Sequence, residues 1–131
     1  MAIVNSVERI GGYGIGSNYT TAAGVALAAA STTTTVTVGT QGYTSGLIRV
    51  KVYNGGSSTT AAAVTVTVTD GTNTYLVGSI GVYTIANVAN GGLDHVFTVL
   101  VDIQIATVTI ITALTVGTAT ATLDYEVLLN P

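Results

Sequence analysis

The stretch Ala63-Val64-Thr65-Val66-Thr67-Val68-Thr69 alternates strictly between aliphatic and hydroxyl side chains, and that period fixes what the chain can fold into. Successive side chains of a strand point to opposite faces, so Val64, Val66 and Val68 share one face and Thr65, Thr67 and Thr69 the other. The same period recurs at Thr35-Val36-Thr37-Val38 and at Thr118-Ala119-Thr120-Ala121-Thr122. β-Branched residues at this spacing suit a pleated, half-buried surface and lose rotamer freedom in a helix. The expected fold is all-β, with aliphatic faces turned inward and neutral, hydroxyl-rich faces turned out.

Composition narrows the function classes. Charged residues make up 7% of the chain, against roughly 25% in an ordinary soluble domain. With 131 residues the chain is one domain, able to bury roughly two-thirds of its unfolded surface without staples. It has no cysteine, which excludes disulfides and thiolate metal sites. The only basic residues are Arg9, Arg49 and Lys51 and the formal net charge is -3, so no surface can neutralise a run of phosphates. Nucleic acid is not an expected partner.

A mean hydropathy of +0.64 raises the question of a membrane. The longest apolar stretch, 96–116, is interrupted by Asp102, Gln104 and several threonines, whereas a spanning helix needs about 20 mostly apolar residues. The seven tyrosines do not fall into the two girdles of a membrane barrel. No basic region precedes an apolar core at the N-terminus, so no cleaved signal peptide is expected. The chain reads as soluble, with no membrane partner.

Residues 1–24 differ from the remainder. The run Gly11-Gly12-Tyr13-Gly14-Ile15-Gly16 holds no regular structure by itself, and it is not a phosphate loop because no lysine follows. An extended N-terminal arm over 1–24 and a β-sandwich domain over 25–131 are expected. Val25–Ala30 reads as strand or irregular structure rather than helix. Strands are then expected at Thr35–Val38, Leu47–Tyr53, Ala62–Thr69, Thr74–Val77, Ile80–Ile85, Val96–Val101, Ile103–Ile111 and Ala119–Leu128. Asp70-Gly71 is the strongest hairpin signal. In the Leu47–Tyr53 strand Ile48, Val50 and Val52 share the buried face, and Arg49 and Lys51 the other. About eight strands at this spacing make a single antiparallel β-sandwich, jelly-roll-like or Ig-like in strand order.

Candidate chemistry is sparse. His95, the only histidine, stands beside Asp94 after a turn, and no Gly-x-Ser-x-Gly elbow accompanies it, so no catalytic residue and no enzyme is expected. Asp70-Gly71-Thr72-Asn73 lacks the further oxygen ligands of a calcium loop. Asp124 and Glu126 share a face of the last strand, and Asp102 could oppose them around calcium. The preferred reading is that they answer Arg49 and Lys51 across strands. No metal or cofactor is expected. Tyr43, Tyr53 and Tyr75, in or beside loops, could serve a sugar site, but without tryptophan the stacking surface is thin. Tyrosines at the sandwich edge with wet hydroxyls are the favoured reading.

Faces of threonine, alanine, glycine and serine lack the charge that keeps monomers apart and lose water cheaply. A homo-oligomer that attaches to something larger is the expectation, and the threonine face is its expected contact face. In its glycine-rich arm (residues 1–24) and its acidic, cysteine-free Thr/Ala/Val strands from Val36 to Leu129, the chain resembles the capsid decoration (cement) proteins of tailed bacteriophages. The resemblance implies a virion structural protein that sits on the capsid surface, commonly as a homotrimer. It would bind the major capsid protein or other virion subunits and stabilise contacts between capsomers. The arm residues Ile3, Val4, Val7, Tyr13, Ile15 and Tyr19 are the expected anchors. A carbohydrate-binding or adhesin/fibre β-sandwich module is the alternative.

Overall fold

The computed structural model describes residues 18–28, 30–39, 42–54, 60–85, 91–114 and 121–131, and most of these are strand. Eight strands follow in order: β1 (Asn18–Ala26), β2 (Ser31–Thr37), β3 (Ser45–Asn54), β4 (Thr60–Thr69), β5 (Thr74–Ile85), β6 (Gly91–Leu100), β7 (Thr107–Leu114) and β8 (Ala121–Asn130). They form two four-stranded antiparallel sheets, β1-β8-β3-β6 (sheet A) and β2-β7-β4-β5 (sheet B).

The pairings nest: β1 with β8, β2 with β7, β3 with β6 and β4 with β5. Such nesting is what a single long antiparallel ribbon gives when it is rolled up from its tip, and β3–β8 and β4–β7 pairing then joins the turns of the roll. This is jelly-roll strand order and not Ig-like order. The tip is the β4–β5 hairpin at Asp70-Gly71, the one place where consecutive strands share a sheet. There Gly71 takes φ +100°, and an Asp70 carboxylate oxygen accepts the N–H groups of Thr72 and Asn73, both at 2.8 Å. Glycine bears the positive φ and aspartate satisfies the turn's donors, which is why Asp-Gly nucleates it.

Alternation sets the core as the sequence requires. Ile48, Val50 and Val52 of β3, Val64, Val66 and Val68 of β4, Val108 and Ile110 of β7, and Leu123, Val127 and Leu129 of β8 are buried between the sheets. Each such side chain contributes roughly 1.5–3 kcal/mol of burial free energy. A one-residue slip of any strand would turn its aliphatic set to water, so the alternation also pins register.

The strand count agrees with expectation for a different reason. Residues 74–77 and 80–85, expected as two strands, are one strand, β5, which absorbs Val77 and the Gly81-Val82 step as two bulges against β4. The missing strand is β1: residues 18–24, expected as the end of the arm, pair with β8 from Leu129 to Tyr125. Gly24 (φ +69°) forms a bulge there between Ala22 and Val25, and that glycine hid the strand from a pattern reading. Val101 and residues 103–106, expected to be strand, instead belong with Asp102 to the connection from β6 to β7. Val101 and Ile105 N–H groups donate to the carbonyls of Thr44 and Tyr43 at 3.0 and 2.9 Å. The expected arm residues 1–17 lie outside the described residues.

Candidate functional site: two unlike outer faces

The register sorts the polar residues onto two different faces. On the outside of sheet B, Thr37 of β2 lies opposite Thr107 of β7, Thr107 opposite Thr69 of β4, and Thr69 opposite Thr74 of β5. One row along, Thr35, Thr109 and Thr67 are similarly aligned, with Leu76 beyond them on β5. The next row is Thr33, Ile111, Thr65 and Ser79. The alternating threonines of separate segments thus assemble into one array, with strands roughly 4.8 Å apart and rows roughly 6.6 Å apart. No residue of β2, β4, β5 or β7 is charged.

Every charged strand residue lies in sheet A. Arg49 on β3 faces Glu126 on β8, and Lys51 faces Asp124 and, on the other side, Asp94 of β6. The ion pair that forms is Arg49 with Asp94: Nε donates to Oδ1 at 3.0 Å and Nη2 to Oδ2 at 2.6 Å. This fork holds the Asp94 carboxyl below the usual carboxylate range and raises the Arg49 guanidinium further. Lys51 Nζ lies 5.3 Å from the centroid of the Tyr53 ring, and contact with the Tyr53 hydroxyl raises its pKa. Asp124 Oδ1 accepts the N–H of Gly24 at 2.8 Å, satisfying the donor exposed by the β1 bulge.

Asp124 and Glu126 do share a face, but their expected answer to Arg49 and Lys51 is taken in part by Asp94. The sequence pattern places Asp94 after a turn and ahead of a strand at Val96–Val101, whereas β6 begins at Gly91 and includes it. Asp102 lies in the 101–106 connection, and among the described residues no three acidic or histidine side chains gather as metal ligands. His95 is exposed on β6 with its ring edge-on to Phe97, centroids 4.7 Å apart.

The tyrosines do not converge. Tyr43 is buried in the core, a correction to its expected place at a wet edge. Tyr53 stands near the opposite end of β3 from Tyr43, and Tyr75 is exposed on β5. Of the expected anchors, Tyr19 is the one described, 61% exposed on β1. Ile3, Val4, Val7, Tyr13 and Ile15 lie outside the described residues.

Sheet A also carries two shallow adjoining depressions that share Arg49 and Glu126. One, of about 140 Å³, lies among Thr21, Lys51 and Asp124. The other, of about 150 Å³, is apolar and lined by Tyr19, Leu47, Val96 and Leu128. No known protein family matches the chain, and no curated protein is similar to it.

Proposed function

We propose that the chain is a virion structural protein, a capsid decoration (cement) protein that binds the outer capsid surface as a homo-oligomer, a trimer on the resemblance, and stabilises capsomer contacts. The observation that carries this reading is the uncharged threonine array over the four strands of sheet B, set opposite a face holding all the strand charges. Threonine methyls and hydroxyls lose water without stripping a charge, so such a face beds on a large protein surface at low desolvation cost. The charged face of sheet A then points to solvent and keeps the decorated particle dispersed.

The test is decoration of tailed-phage capsids from the same source, purified without this protein. Thr67→Lys, at the centre of the array, is expected to abolish binding with the sandwich still folded, while Leu47→Lys on sheet A leaves binding intact. Decoration by Thr67→Lys at wild-type occupancy would sink the proposal. The arm is tested by deleting residues 1–17, since a longer cut removes Asn18 and Tyr19 from their pairing with Leu129 and Leu128. The depression beside Tyr19 and Arg49 favours a glycan-binding reading as runner-up, and saturable glycan binding lost in Tyr19→Ala would support it instead.

A further inference from the structure

We infer that two copies of this chain join edge to edge through β2, antiparallel about a two-fold axis. The contact rests on the homo-oligomer part of the proposed function and gives it a surface. A three-fold assembly would need a different one.

The two sheets have four outer strands, β1 and β6 in sheet A and β2 and β5 in sheet B. Outer strands carry unpaired N–H and C=O groups and are usually guarded by charge, proline or bulges. β1 has the bulge at Gly24, β5 has two bulges, and β6 carries Asp94 and His95. β2, Ser-Thr-Thr-Thr-Thr-Val-Thr, has no charge and no proline, and its register with β7 runs unbroken from Ser31 to Thr37. It is the unguarded edge.

Which of its main-chain groups are free follows from the bonds at its two ends. The Leu114 N–H donates to the Ala30 carbonyl at 2.8 Å, and the Val38 N–H to the Ala106 carbonyl at 2.9 Å. Antiparallel bonding alternates, so Thr32, Thr34 and Val36 bond to β7. Ser31, Thr33, Thr35 and Thr37 then aim their N–H and C=O groups away from it. Among the described residues no backbone hydrogen bond reaches that side of β2. Thr32 and Thr34 point inward on the same face as buried Val36, yet are only half-buried. Sheet A does not overhang this edge, and another strand has room to approach.

The edge is complementary to itself. With Thr34 on the axis, Thr33 meets Thr35 of the second copy and Ser31 meets Thr37, so each free donor finds a free acceptor. The same register sets Thr32 against Val36 and Thr34 against its own counterpart on the inner face. No charge meets its own kind, and β-branched pairs suit a sheet. An axis normal to the sheet keeps both outer faces on one side, so the threonine array runs on from one copy to the next.

A foreign strand is a poorer match. Added strands are selected through pockets for their alternate side chains, and the two depressions described above lie on sheet A. β2 offers main chain alone, and a second β2 is already extended by its own fold, so little ordering is needed to pair it. The two-fold contact also closes the unguarded edge of both copies at once, so assembly stops at two.

Sedimentation velocity on the full chain at micromolar concentration tests the contact, and wild type is expected at twice the chain mass. Thr35→Pro removes a free N–H at an edge position that tolerates proline. Thr34→Lys brings two ammonium groups together at the axis. Both are expected to halve the mass with an unchanged far-ultraviolet circular dichroism spectrum, while Leu76→Lys on β5 keeps the dimer. Amide hydrogen exchange on wild type reads the same edge without a substitution: the Thr33 and Thr35 N–H groups are expected to exchange slowly. A monomeric wild type, fast exchange at Thr33 and Thr35, dissociation by Leu76→Lys, or an oligomer that survives both β2 substitutions overturns the inference. A trimer that survives them keeps the homo-oligomer reading and removes only this contact. A β2-dependent dimer that leaves capsids bare does the reverse.

Discussion

Arg49 forks onto Asp94 across the β3–β6 pair, although the residue directly opposite it on β6 is Val96. The diagonal leaves Lys51, which is the residue directly opposite Asp94, to lie against the ring of Tyr53. Arg49 and Asp94 keep 42% and 45% of their side-chain surface in water. A pair so wet is weakened by solvent and screened by salt.

The expected consequence is a salt-dependent contribution. Asp94→Asn should lower the thermal midpoint slightly at low ionic strength. The gap to wild type should close at about 1 M salt, where the Debye length is about 3 Å. Thermal melts at both ionic strengths measure it. A gap of equal size in both would show that the Asp94 contribution is not ionic.

Gly46 and Gly78 are both set by close approach, one to backbone and one to a side chain. Gly46 has φ +153°, and a Cβ there would run into the Leu128 carbonyl oxygen of the neighbouring strand. Backbone cannot yield as a side chain can, so Gly46→Ala is expected to cost roughly 3 kcal/mol or more. At Gly78 a Cβ would meet the Phe97 ring at 2.9 Å, and the ring is buried in the core. Gly78→Ala should cost less, about 1–2 kcal/mol, because the ring can shift at the side of the sandwich. Urea unfolding of both variants checks the order, and a Gly78 variant less stable than the Gly46 variant contradicts it.

Why some of this was legible in the sequence and some was not follows from range. Val64, Val66 and Val68 announce a buried strand face because period-2 alternation is local. Asp70-Gly71 announces a hairpin because both of its requirements, a positive φ and a donor-satisfying carboxylate, lie within four residues. The jelly-roll order is not local: β1 meets β8 through pairs such as Tyr19 and Leu128, over a hundred residues apart. Bulges mislead a pattern reading because one extra residue flips the alternation, which is how β5 looked like two strands and β1 like an arm. The threonine array needed the register of four strands before Thr37, Thr107, Thr69 and Thr74 became neighbours. The exposure of Leu76 and Val82 had no sequence signal, since both read as ordinary strand aliphatics.

Acid should act on the hairpin. The N–H groups of Asn73 and Thr72 hold the Asp70 carboxyl below its usual pKa, so the folded state favours its charged form. The stability it contributes is present above the unfolded pKa, about 3.9, and is lost as pH falls through the depressed folded value. Asp70→Asn keeps an oxygen acceptor for the turn but cannot titrate there. Wild type should therefore lose thermal stability more steeply than Asp70→Asn below about pH 4. Parallel pH curves for the two proteins would remove Asp70 as the cause.

Thr112 is the one buried threonine of β7, fully inside the sandwich opposite Val64 of β4 and Thr32 of β2. Among the described residues its Oγ1 has no hydrogen-bond partner. A buried hydroxyl without a partner has given up water for nothing, whereas valine fills the same shape with a methyl group. Thr112→Val is expected to stabilise the fold by about 1 kcal/mol. The urea midpoint should rise with the m-value unchanged. Thr112→Ser serves as the counter-test: it keeps the hydroxyl and deletes the methyl, so it should be less stable than wild type by about 1 kcal/mol. If Thr112→Val unfolds at lower urea than wild type, the hydroxyl is bonded in solution and this account of the β7 interior is wrong.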